Sequence, residues 1–411
     1  MSPYRSGILS KTLTMILAGG QGERLLPLTV HRSKPSVNFG GIYRIIDFTL
    51  SNCLNSGLRR IYVLTQYKSL TLDQHIKHGW DLFNVETDEF IYSLPPQHYA
   101  AEGWYQGTAD AIFQNVYLFN LHRPERVLVL KGDHVYKMDY QPLIRRHVDC
   151  CADVTIAAVE RSLSEARQYG VLGVDETGRL ISFQDRPEDP TPLPGKPDKA
   201  LCSMGIYVFQ TDALVRAVMA DAKNENSIHE FAHDILPKML EEGRSIHTYL
   251  FEDTAGSAYW RDIGTLDSYY EASMDLIEVT PSLNLYDQSW PIRCRPKQLP
   301  PAKTVFSQEG HGGRLGSALD SLISPGCIVS GGKVNRSILA NNVRINSYSL
   351  VQDSILMENV TIGRHSRLRR CIVDEGVAIP EGAQIGYDRH LDEAHFTVTP
   401  NGIVVIPKGL Y

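Results

Sequence analysis

The sequence predicts an α/β chain in two parts: a mainly parallel sheet with helices on both faces, followed by a three-sided parallel β-helix. Short aliphatic runs alternate with helical stretches from residue 10 to about residue 280. From residue 328 onward, apolar residues recur every 17 positions. Residues 291–317 hold several prolines and glycines without periodicity, which is typical of a linker. The predicted domains are therefore 10–290 and 318–411.

Composition limits the function classes. The chain has 411 residues, 43% hydrophobic and 21% charged, which is ordinary for a globular protein of two to three domains. A net charge of −6 argues against nucleic-acid binding, and no apolar run approaches the ~20 residues of a membrane span. Seven cysteines without a C-x-x-C pair indicate reduced thiols in the cytoplasm. A metal site at Cys150-Cys151 is disfavoured, because no second ligand cluster has suitable spacing.

Five aliphatic runs predict the strands of the first part: 13–18, 60–65, 126–131, 153–159 and 204–209. Helical patterns lie between them, for example over 108–121. Runs of Val, Ile and Leu separated by helices are typical of a mainly parallel sheet. Because ligands bind at the carboxyl ends of the strands in such sheets, the loops after the first and third runs are candidate site segments.

The loop after the first predicted strand is typical of a phosphate cradle. It reads LAGGQGERLLPLTVHRSKP over residues 17–35. Glycines let backbone N–H groups face one concavity, while Arg24 and Lys34 supply the charge that a triphosphate needs. The loop is not a Walker loop, and Leu25 replaces the third glycine of the dinucleotide fingerprint. The string resembles the signature of sugar-nucleotide pyrophosphorylases, which join a nucleoside triphosphate to a sugar 1-phosphate.

Two carboxylates are candidate Mg²⁺ ligands. Asp133 follows the predicted strand 126–131, and Asp262 precedes a predicted helix. Nucleotidyl transfer depends mostly on positioning and charge neutralisation, and Mg²⁺ prefers one or two carboxylates plus substrate oxygens. For Asp262 alone, helix capping is an equal alternative. The glycine before Asp133 favours a ligand role there.

The C-terminal repeat forms four aligned columns with a period of 17. They are Ile328, Ile345, Ile362 and Ile379; Val334, Val351, Leu368 and Ile385; Ile338, Ile355 and Ile372; and Val343, Val360 and Val377. A period close to three hexapeptides predicts one coil of a parallel β-helix per repeat, and such coils stack because none buries its apolar corner alone. A β-sandwich with accidental spacing is the alternative.

Further segments extend the resemblance along nearly the whole chain. They are FGGIYRIIDFTLSNCLNSGLRRIYVLTQYKS (39–69), WYQGTADA (104–111), GDHVYKMDY (132–140), SMGIYVF (203–209), YWRDIGT (259–265), YDQSWPIR (286–293) and LPPAK (299–303). With the glycine loop, they resemble the bacterial type of the glucose-1-phosphate adenylyltransferase (ADP-glucose pyrophosphorylase) family. The resemblance implies a Rossmann-like nucleotidyltransferase sheet, a left-handed β-helix, a homotetramer, allosteric control and a role in glycogen or α-glucan synthesis.

The implied reaction is attack by the phosphate of glucose 1-phosphate on the α-phosphorus of ATP, with Mg²⁺ as cofactor. The resemblance implies nucleotide binding by Gly19, Gly20, Gly22, Gln66 and Gly107. It implies catalytic roles for Arg24, Lys34 and Asp133, and metal binding by Asp133 and Asp262. The implied sugar-phosphate residues are Tyr105, Gly170, Asp185, Arg186 and Ser203. The implied allosteric or communication residues are Arg32, Arg44, Gln66 and Trp104; core packing is the alternative for Trp104 and Tyr105.

The chain departs from the family pattern at several positions. Asp185-Arg186-Pro187 replaces Glu-Lys-Pro, and the planar guanidinium of Arg is not equivalent to the point charge of Lys at a phosphate. The other departures are Gln21, Lys131, Ala232-His233 and, in the effector region, His31 and Asn38. They leave effector identity, strict ATP preference and a second hypothesis open: a non-catalytic regulatory paralogue that binds sugar phosphates or nucleotides within a hetero-oligomer. Retention of both metal carboxylates favours the enzyme.

Overall fold

A mixed nine-stranded sheet forms the centre of the first part of the chain. The computed structural model describes residues 3–97, 103–252, 258–308 and 313–410. The strands of the first part are β1 (Thr12–Ala18), β2 (Asn38–Phe39), β3 (Tyr43–Arg44), β4 (Arg60–Thr65), β5 (Phe90–Leu94), β6 (Arg126–Lys131), β7 (His134–Tyr136), β8 (Val154–Ser162), β9 (Gly170–Val174), β10 (Leu180–Asp185), β11 (Lys199–Gln210), β12 (Ile246–Leu250) and β13 (Trp260–Asp262). All five predicted strands are present.

The helices of this part are α1 (Pro3–Ser10), α2 (Ile45–Asn55), α3 (Leu70–Gly79), α4 (Thr108–Phe113), α5 (Tyr117–His122), α6 (Tyr140–Asp149), α7 (Leu163–Ala166), α8 (Thr211–Asp221), α9 (Leu236–Glu241) and α10 (Leu266–Met274). The predicted helix over 108–121 is two helices, α4 and α5. Asn115 lies between them, and its Nδ2 donates to Ala111 O at 2.8 Å. Such side-chain bonds compete with the helical backbone ladder. Within the described ranges, every helix is too short or too polar to span a bilayer.

The strand directions differ across the sheet. β6, β1, β4 and β5 lie side by side and run parallel, as predicted. β11 runs antiparallel to β6, β8 and β9, and β10 pairs antiparallel with the other edge of β9. The sequence could not distinguish these directions, because a strand buried on both faces reads as a continuous apolar run in either case.

Helices cover both faces of this sheet. Met15 and Ile16 are neighbours on β1, both are 0% exposed, and they belong to separate apolar clusters. Since successive side chains of a strand point to opposite faces, the two clusters are the cores on the two sides. This arrangement confirms the predicted α/β fold class.

The strand register brings three loops to one edge. Leu17 pairs with Lys131, and Ala18 pairs with Thr65. The segments that start at Gly19, Gln66 and Gly132 therefore leave the sheet side by side. This edge is the carboxyl end of the parallel strands, where the sequence placed the site.

The second part is a three-sided parallel β-helix. Its strands are β14 (Lys303–Val305), β15 (Ser317–Leu319), β16 (Leu322–Ile323), β17 (Ile328–Ser330), β18 (Lys333–Asn335), β19 (Ile338–Leu339), β20 (Arg344–Ile345), β21 (Leu350–Gln352), β22 (Ile355–Leu356), β23 (Thr361–Ile362), β24 (Arg367–Arg369), β25 (Cys371–Val373), β26 (Ala378–Ile379), β27 (Gln384–Ile385), β28 (Thr397–Val398) and β29 (Val404–Ile406), with α11 (Arg389–His395) near the end. Three parallel ladders begin with β14, β15 and β16. At the end of the third ladder, β28 pairs antiparallel with β29. β14 lies inside the segment 291–317 that the sequence assigns to a linker.

Two details of the repeat differ from the prediction. Ile345 stacks on Val329 rather than on Ile328, because the first complete coil is one residue shorter than the others. The column of Ile338, Ile355 and Ile372 packs against the first part of the chain rather than inside the coil. Adjacent positions such as Leu356 fill the interior of the β-helix instead.

The two parts are joined by an apolar and charged interface. Tyr269 and Tyr270 of α10 lie in one cluster with Ile355 and Ile372. Arg32, which is 3% exposed, pairs with Asp374 and with Glu375 Oε2, the latter at 3.0 Å. The loop that follows the glycine segment is therefore anchored on the β-helix.

Candidate active site

The glycine loop follows β1 and curves sharply at Gly22. This residue has φ +69°, and a side-chain carbon there would lie 3.1 Å from both Lys34 Cβ and Thr29 Cγ2. Its carbonyl accepts from Leu25 N at 3.0 Å and from Thr29 Oγ1 at 2.8 Å. Only glycine combines this backbone conformation with so close an approach. Gly22 thereby sets the path of the loop.

A first cavity of about 610 Å³ opens beside this loop. Gly20, Gly22, Arg24, Lys34 and Asp133 are among its lining residues. Arg24 is exposed and reaches across to Gly264, where a side-chain carbon would lie 3.4 Å from Arg24 Nη2 and 3.5 Å from Asp262 Oδ2. Loop glycines, two cations and both carboxylates therefore converge on one space.

Lys34 joins the two predicted metal carboxylates. Its Nζ lies 2.6 Å from Asp133 Oδ2 and 3.3 Å from Asp262 Oδ1. The carboxylates come from different segments, which are held together by pairing of β13 with β7 in the register of Asp262 with His134. The helix-capping alternative for Asp262 is wrong, because the Thr265 side chain caps α10.

The local charges keep both carboxylates ionised. Burial raises the pKa of Asp133, but Lys34 and the other cations nearby outweigh it, and the net pKa lies well below the usual range. Burial raises the pKa of Asp262 too, but the charges of His134 and then Lys34 outweigh burial, and the net pKa is lowered. Burial lowers the pKa of His134 to about 4, so this ring is neutral at pH 7. Both carboxylates act only as acceptors at neutral pH.

This pair of carboxylates fits a divalent metal that takes its remaining ligands from substrate and water. The side chains of Asp133 and Asp262 are 28% and 29% exposed, and Lys34 shows that a cation can lie between them. Among the described residues, no group of three or more His, Cys, Asp or Glu could hold a metal, so a metal at this pair would need ligands from outside the protein. Two carboxylates suit Mg²⁺ better than an all-protein Ca²⁺ or Zn²⁺ site.

A second cavity of about 560 Å³ adjoins the first. The lining residues that both cavities share are Leu17, Gly20, Gln21 and Asp133. The second cavity also brings together the predicted residues Gly19, Gln66, Tyr105, Gly107, Asp185 and Arg186. The glycine loop and Asp133 therefore stand at the junction of two spaces.

Gln66 and Tyr105 form one wall of the second cavity. Gln66 Oε1 accepts from Tyr105 N at 2.6 Å, and its Nε2 donates to Tyr105 O at 3.3 Å. The Tyr105 ring packs on the core, its hydroxyl accepts from Asn115 Nδ2 at 3.0 Å, and burial raises its pKa to about 12. At Gly107, a side-chain carbon would lie 2.3 Å from His229 O, so this close backbone approach requires glycine.

Two of the predicted sugar-phosphate residues line neither cavity. Gly170 pairs with Asp185 across β9 and β10, and a side-chain carbon there would lie 2.8 Å from Phe183 Cζ. Ser203 lies at a bulge in β11, where its Oγ accepts from Gly205 N at 3.2 Å. Gly170 pairs with the lining residue Asp185, and Ser203 contacts the backbone of the β11 bulge. Sequence position alone does not reveal these contacts.

The predicted allosteric residues lie in separate places. The guanidinium of Arg32 is committed to the β-helix carboxylates described above, whereas Arg44 lines a small cavity of about 100 Å³ between the two parts of the chain. Trp104 is 59% exposed, so the core-packing alternative is wrong for this residue. Gln66 is the only one of the four among the lining residues of the second cavity.

Three charged residues of the second cavity had no predicted site role: Lys131, Glu230 and His233. The sequence marks Lys131 and His233 only as departures from the family pattern, and Glu230 carries no signal of its own. Burial lowers the pKa of Lys131, but Asp133 and other nearby acidic groups raise it above the ordinary value. The cavity therefore contains an ammonium group that stays charged at neutral pH.

Comparison with known proteins places both parts of the chain. Residues 13–279 match the nucleotidyl transferase family, and residues 300–406 match the GlmU-like C-terminal hexapeptide family, in agreement with the predicted left-handed β-helix. Proteins named glucose-1-phosphate adenylyltransferase are similar over nearly the full length. The one from Koribacter versatilis is 51% identical over 97% of this chain and 95% of its own. Those from Rhodopirellula baltica and Thermus thermophilus are 51% and 52% identical over 98% and 97% of this chain, and 91% and 98% of their own.

Proposed function

Because this chain belongs to the glucose-1-phosphate adenylyltransferase family, we propose that its two adjoining cavities bind ATP and glucose 1-phosphate and produce ADP-glucose and pyrophosphate. The junction of the cavities at Asp133 and the glycine loop carries the proposal. A reaction that joins two phosphorylated substrates needs two spaces that meet at the reacting phosphorus. The product serves the synthesis of glycogen or a related α-glucan.

The first cavity suits the triphosphate of ATP. The loop of Gly19, Gly20 and Gly22 presents backbone N–H groups, and polyphosphate oxygens accept from such concavities. Arg24 and Lys34 add two positive charges on the same side. These charges stabilise the negative charge that accumulates on pyrophosphate as it leaves.

The second cavity suits the nucleoside and the sugar phosphate. Gln66 and Gly107 form its wall near the glycine loop and are proposed to contact the nucleoside. Tyr105, Asp185 and Arg186 are proposed to contact glucose 1-phosphate. Asp185 offers carboxylate oxygens to sugar hydroxyls, and Arg186 offers a planar fork to phosphate.

The bond changes are simple. A phosphate oxygen of glucose 1-phosphate attacks the α-phosphorus of ATP and forms a new O–P bond. The bond from the α-phosphorus to the oxygen that bridges to the β-phosphorus breaks, and that oxygen leaves with pyrophosphate and keeps the electron pair. The attacking oxygen is already ionised at neutral pH, so the step requires no general base. The protein therefore contributes orientation and charge rather than proton transfer.

We propose Mg²⁺ as the divalent metal at Asp133 and Asp262. When bound, the metal would neutralise phosphate charge at the reacting phosphorus. The Lys34 ammonium would keep its contact with one carboxylate and donate its remaining hydrogen bonds to the phosphate oxygens. Asp133, which follows β6, and Asp262, the last residue of β13, would hold the cation from two separate segments of the chain.

We propose an oligomeric, cytoplasmic enzyme that is regulated by a small effector. The resemblance supports a homotetramer in the cytoplasm.

The small cavity between the two parts contains Arg44, His75, Arg295 and Lys297 beside Glu358, and this basic lining supports binding of a phosphorylated effector. Since His31 and Asn38 depart from the family pattern, we propose a weakened response to the sugar bisphosphate that commonly activates bacterial relatives. Velocity measured against a panel of glycolytic intermediates tests this, and strong activation by that bisphosphate would overturn it.

The test of the main proposal is pyrophosphate release over a matrix of four nucleoside triphosphates and several sugar 1-phosphates. ATP with glucose 1-phosphate should give the highest kcat/KM, and Asp133→Asn should abolish the signal. Turnover with no pair would favour the non-catalytic paralogue, and preference for UTP or dTTP would overturn the ATP assignment.

A further inference from the structure

Lys131 occupies a position in the second cavity that the proposed chemistry has not used. It is the last residue of β6, two positions before Asp133, and its side chain is half-buried. Its stem lies across the bulge of β11. A side-chain carbon at Gly205 would lie 2.9 Å from Lys131 Cε, 3.1 Å from Cδ and 3.4 Å from Nζ. Gly205 has φ +66°, so the bulge and the missing side chain together make room for this lysine.

The ammonium of Lys131 has no fixed partner in the described chain. Lys34, on the other side of Asp133, forms ion pairs at 2.6 and 3.3 Å. By contrast, no carboxylate of the described residues lies within ion-pair distance of Lys131 Nζ. A half-buried cation that lines a cavity without a partner is placed to receive an anion.

The positive charges divide between the two cavities. Arg24 and Lys34 line the first cavity, and Lys131 and Arg186 line the second. Arg186 is exposed at the mouth and also borders an open groove with Arg167. Lys131 is less exposed and closer along the chain to Asp133, where the cavities meet. Lys131 therefore places a positive charge only two residues from Asp133, where the two cavities meet.

An anion in the second cavity must approach a negative surface. Asp133, Asp185 and Glu230 all contribute carboxylates to this lining. The phosphate of a sugar 1-phosphate would therefore be repelled unless a cation stood beside it. Lys131 is such a cation in the lining of the second cavity.

We propose that Lys131 binds the phosphate of glucose 1-phosphate and holds its attacking oxygen toward the junction of the two cavities. This inference rests on the proposed function for the identity of the sugar phosphate. It makes Lys131 a substrate-binding residue, with Arg186 contacting the same phosphate from the mouth of the cavity.

The test compares Lys131→Gln and Lys131→Arg with the wild type. Loss of a charge-assisted hydrogen bond should raise the KM for glucose 1-phosphate about 10- to 100-fold in Lys131→Gln, with the KM for ATP changed less than about twofold. Lys131→Arg keeps the charge and should recover most of the affinity. Lys199→Gln is the matched control, because Lys199 lies on β11 and pairs with Glu160 at 3.2 Å on the surface.

Equilibrium binding separates this inference from the proposed function. Calorimetry with glucose 1-phosphate and with methyl α-glucoside needs no turnover. Only the phosphorylated ligand should weaken in Lys131→Gln, even if the protein proved inactive. Unchanged glucose 1-phosphate affinity in Lys131→Gln, or a selective loss of ATP affinity, would overturn the proposal. If Lys131→Gln folds poorly, Lys131→Met serves as the second variant that removes the charge. Normal binding of glucose 1-phosphate by folded Lys131→Met would also overturn the proposal.

Discussion

One ammonium group contacts two carboxylates at the centre of the proposed site. Lys34 Nζ contacts both Asp133 and Asp262, and Asp133 also lines the first cavity. Removal of one of these carboxylates leaves a single ligand for the metal. The ion pairs therefore make a direct prediction about metal dependence.

Asp262→Asn should raise the metal concentration needed for half-maximal velocity by more than about tenfold. The amide keeps the size of the side chain but loses the charge that attracts a cation. A titration of velocity against Mg²⁺ measures this. Asp287→Asn is the control. Asp287 Oδ2 lies 3.4 Å from Lys137 Nζ, and neither residue lines the two cavities. An unchanged metal requirement in Asp262→Asn would remove this residue from the metal site.

Two neighbouring glycines should respond differently to the same substitution. Gly22→Ala introduces a methyl group at φ +69° and at 3.1 Å from two side chains, so we expect a loss of about 1–2 kcal/mol in unfolding free energy. A side-chain carbon at Gly20 meets nothing within 4 Å, so Gly20→Ala should fold normally and only weaken ATP binding. Thermal denaturation and the KM for ATP separate the two effects. Equal stability of both variants would contradict the role of Gly22.

At the residue level, the sequence predicted charged and glycine positions better than wall positions. Arg24 and Lys34 lie in short helical turns of the segment after β1, and Asp133 follows β6; the pairing of β1 with β6 brings these two segments to one edge of the sheet. Gly170 and Ser203 lie within strands, where the direction of each side chain depends on pairing and on the bulge of β11. A bulge changes which face a residue occupies, and this local effect has no simple sequence signature.

At the level of elements, strand positions were predictable and strand directions were not. β4 and β6 begin and end at the predicted residues. The antiparallel direction of β11 was missed because both of its faces are buried. In the β-helix, the period located the coils, but it did not distinguish columns that fill the coil from the column of Ile338, Ile355 and Ile372 that faces the other part of the chain.

Two adjacent residues of β22 test this distinction. Ile355 packs at the interface between the two parts, and Leu356 packs inside the β-helix. Truncation of either residue to alanine should cost about 2–5 kcal/mol of stability. Only Ile355→Ala should also increase proteolysis within 291–302, because it weakens docking of the two parts. Equal cleavage in the two variants would contradict the assignment of Ile355 to the interface.

At the level of the whole molecule, a buried charge cluster joins the α/β part to the β-helix. Arg32 is almost fully buried and is paired on both sides of its guanidinium. Burial raises the pKa of Glu375, but Arg32 and Lys408 outweigh burial and the net pKa is lowered. This contact was not predictable from sequence, since its partners are separated by more than three hundred residues.

The lowered pKa of Glu375 predicts that the interface between the two parts loses stability in acid. A carboxyl group with a lowered folded pKa stabilises the protein above its unfolded pKa of about 4.3, and this stability is lost as the pH falls through the folded value. Glu375→Gln should therefore be less stable than the wild type at pH 7, and the difference should vanish at low pH. Unfolding free energies measured from pH 7 to pH 3 test this. A difference that is constant with pH would contradict the ion-pair account.

The central claim for the whole molecule is a single in-line transfer at the junction of two cavities. The measurement that tests it most directly is the stereochemical course at phosphorus, with ATP made chiral at the α-phosphorus by sulfur substitution and glucose 1-phosphate as acceptor. One direct displacement predicts inversion of configuration in the ADP-glucose product. Retention would show two successive displacements through a nucleotide bound covalently to the protein, and it would contradict the account.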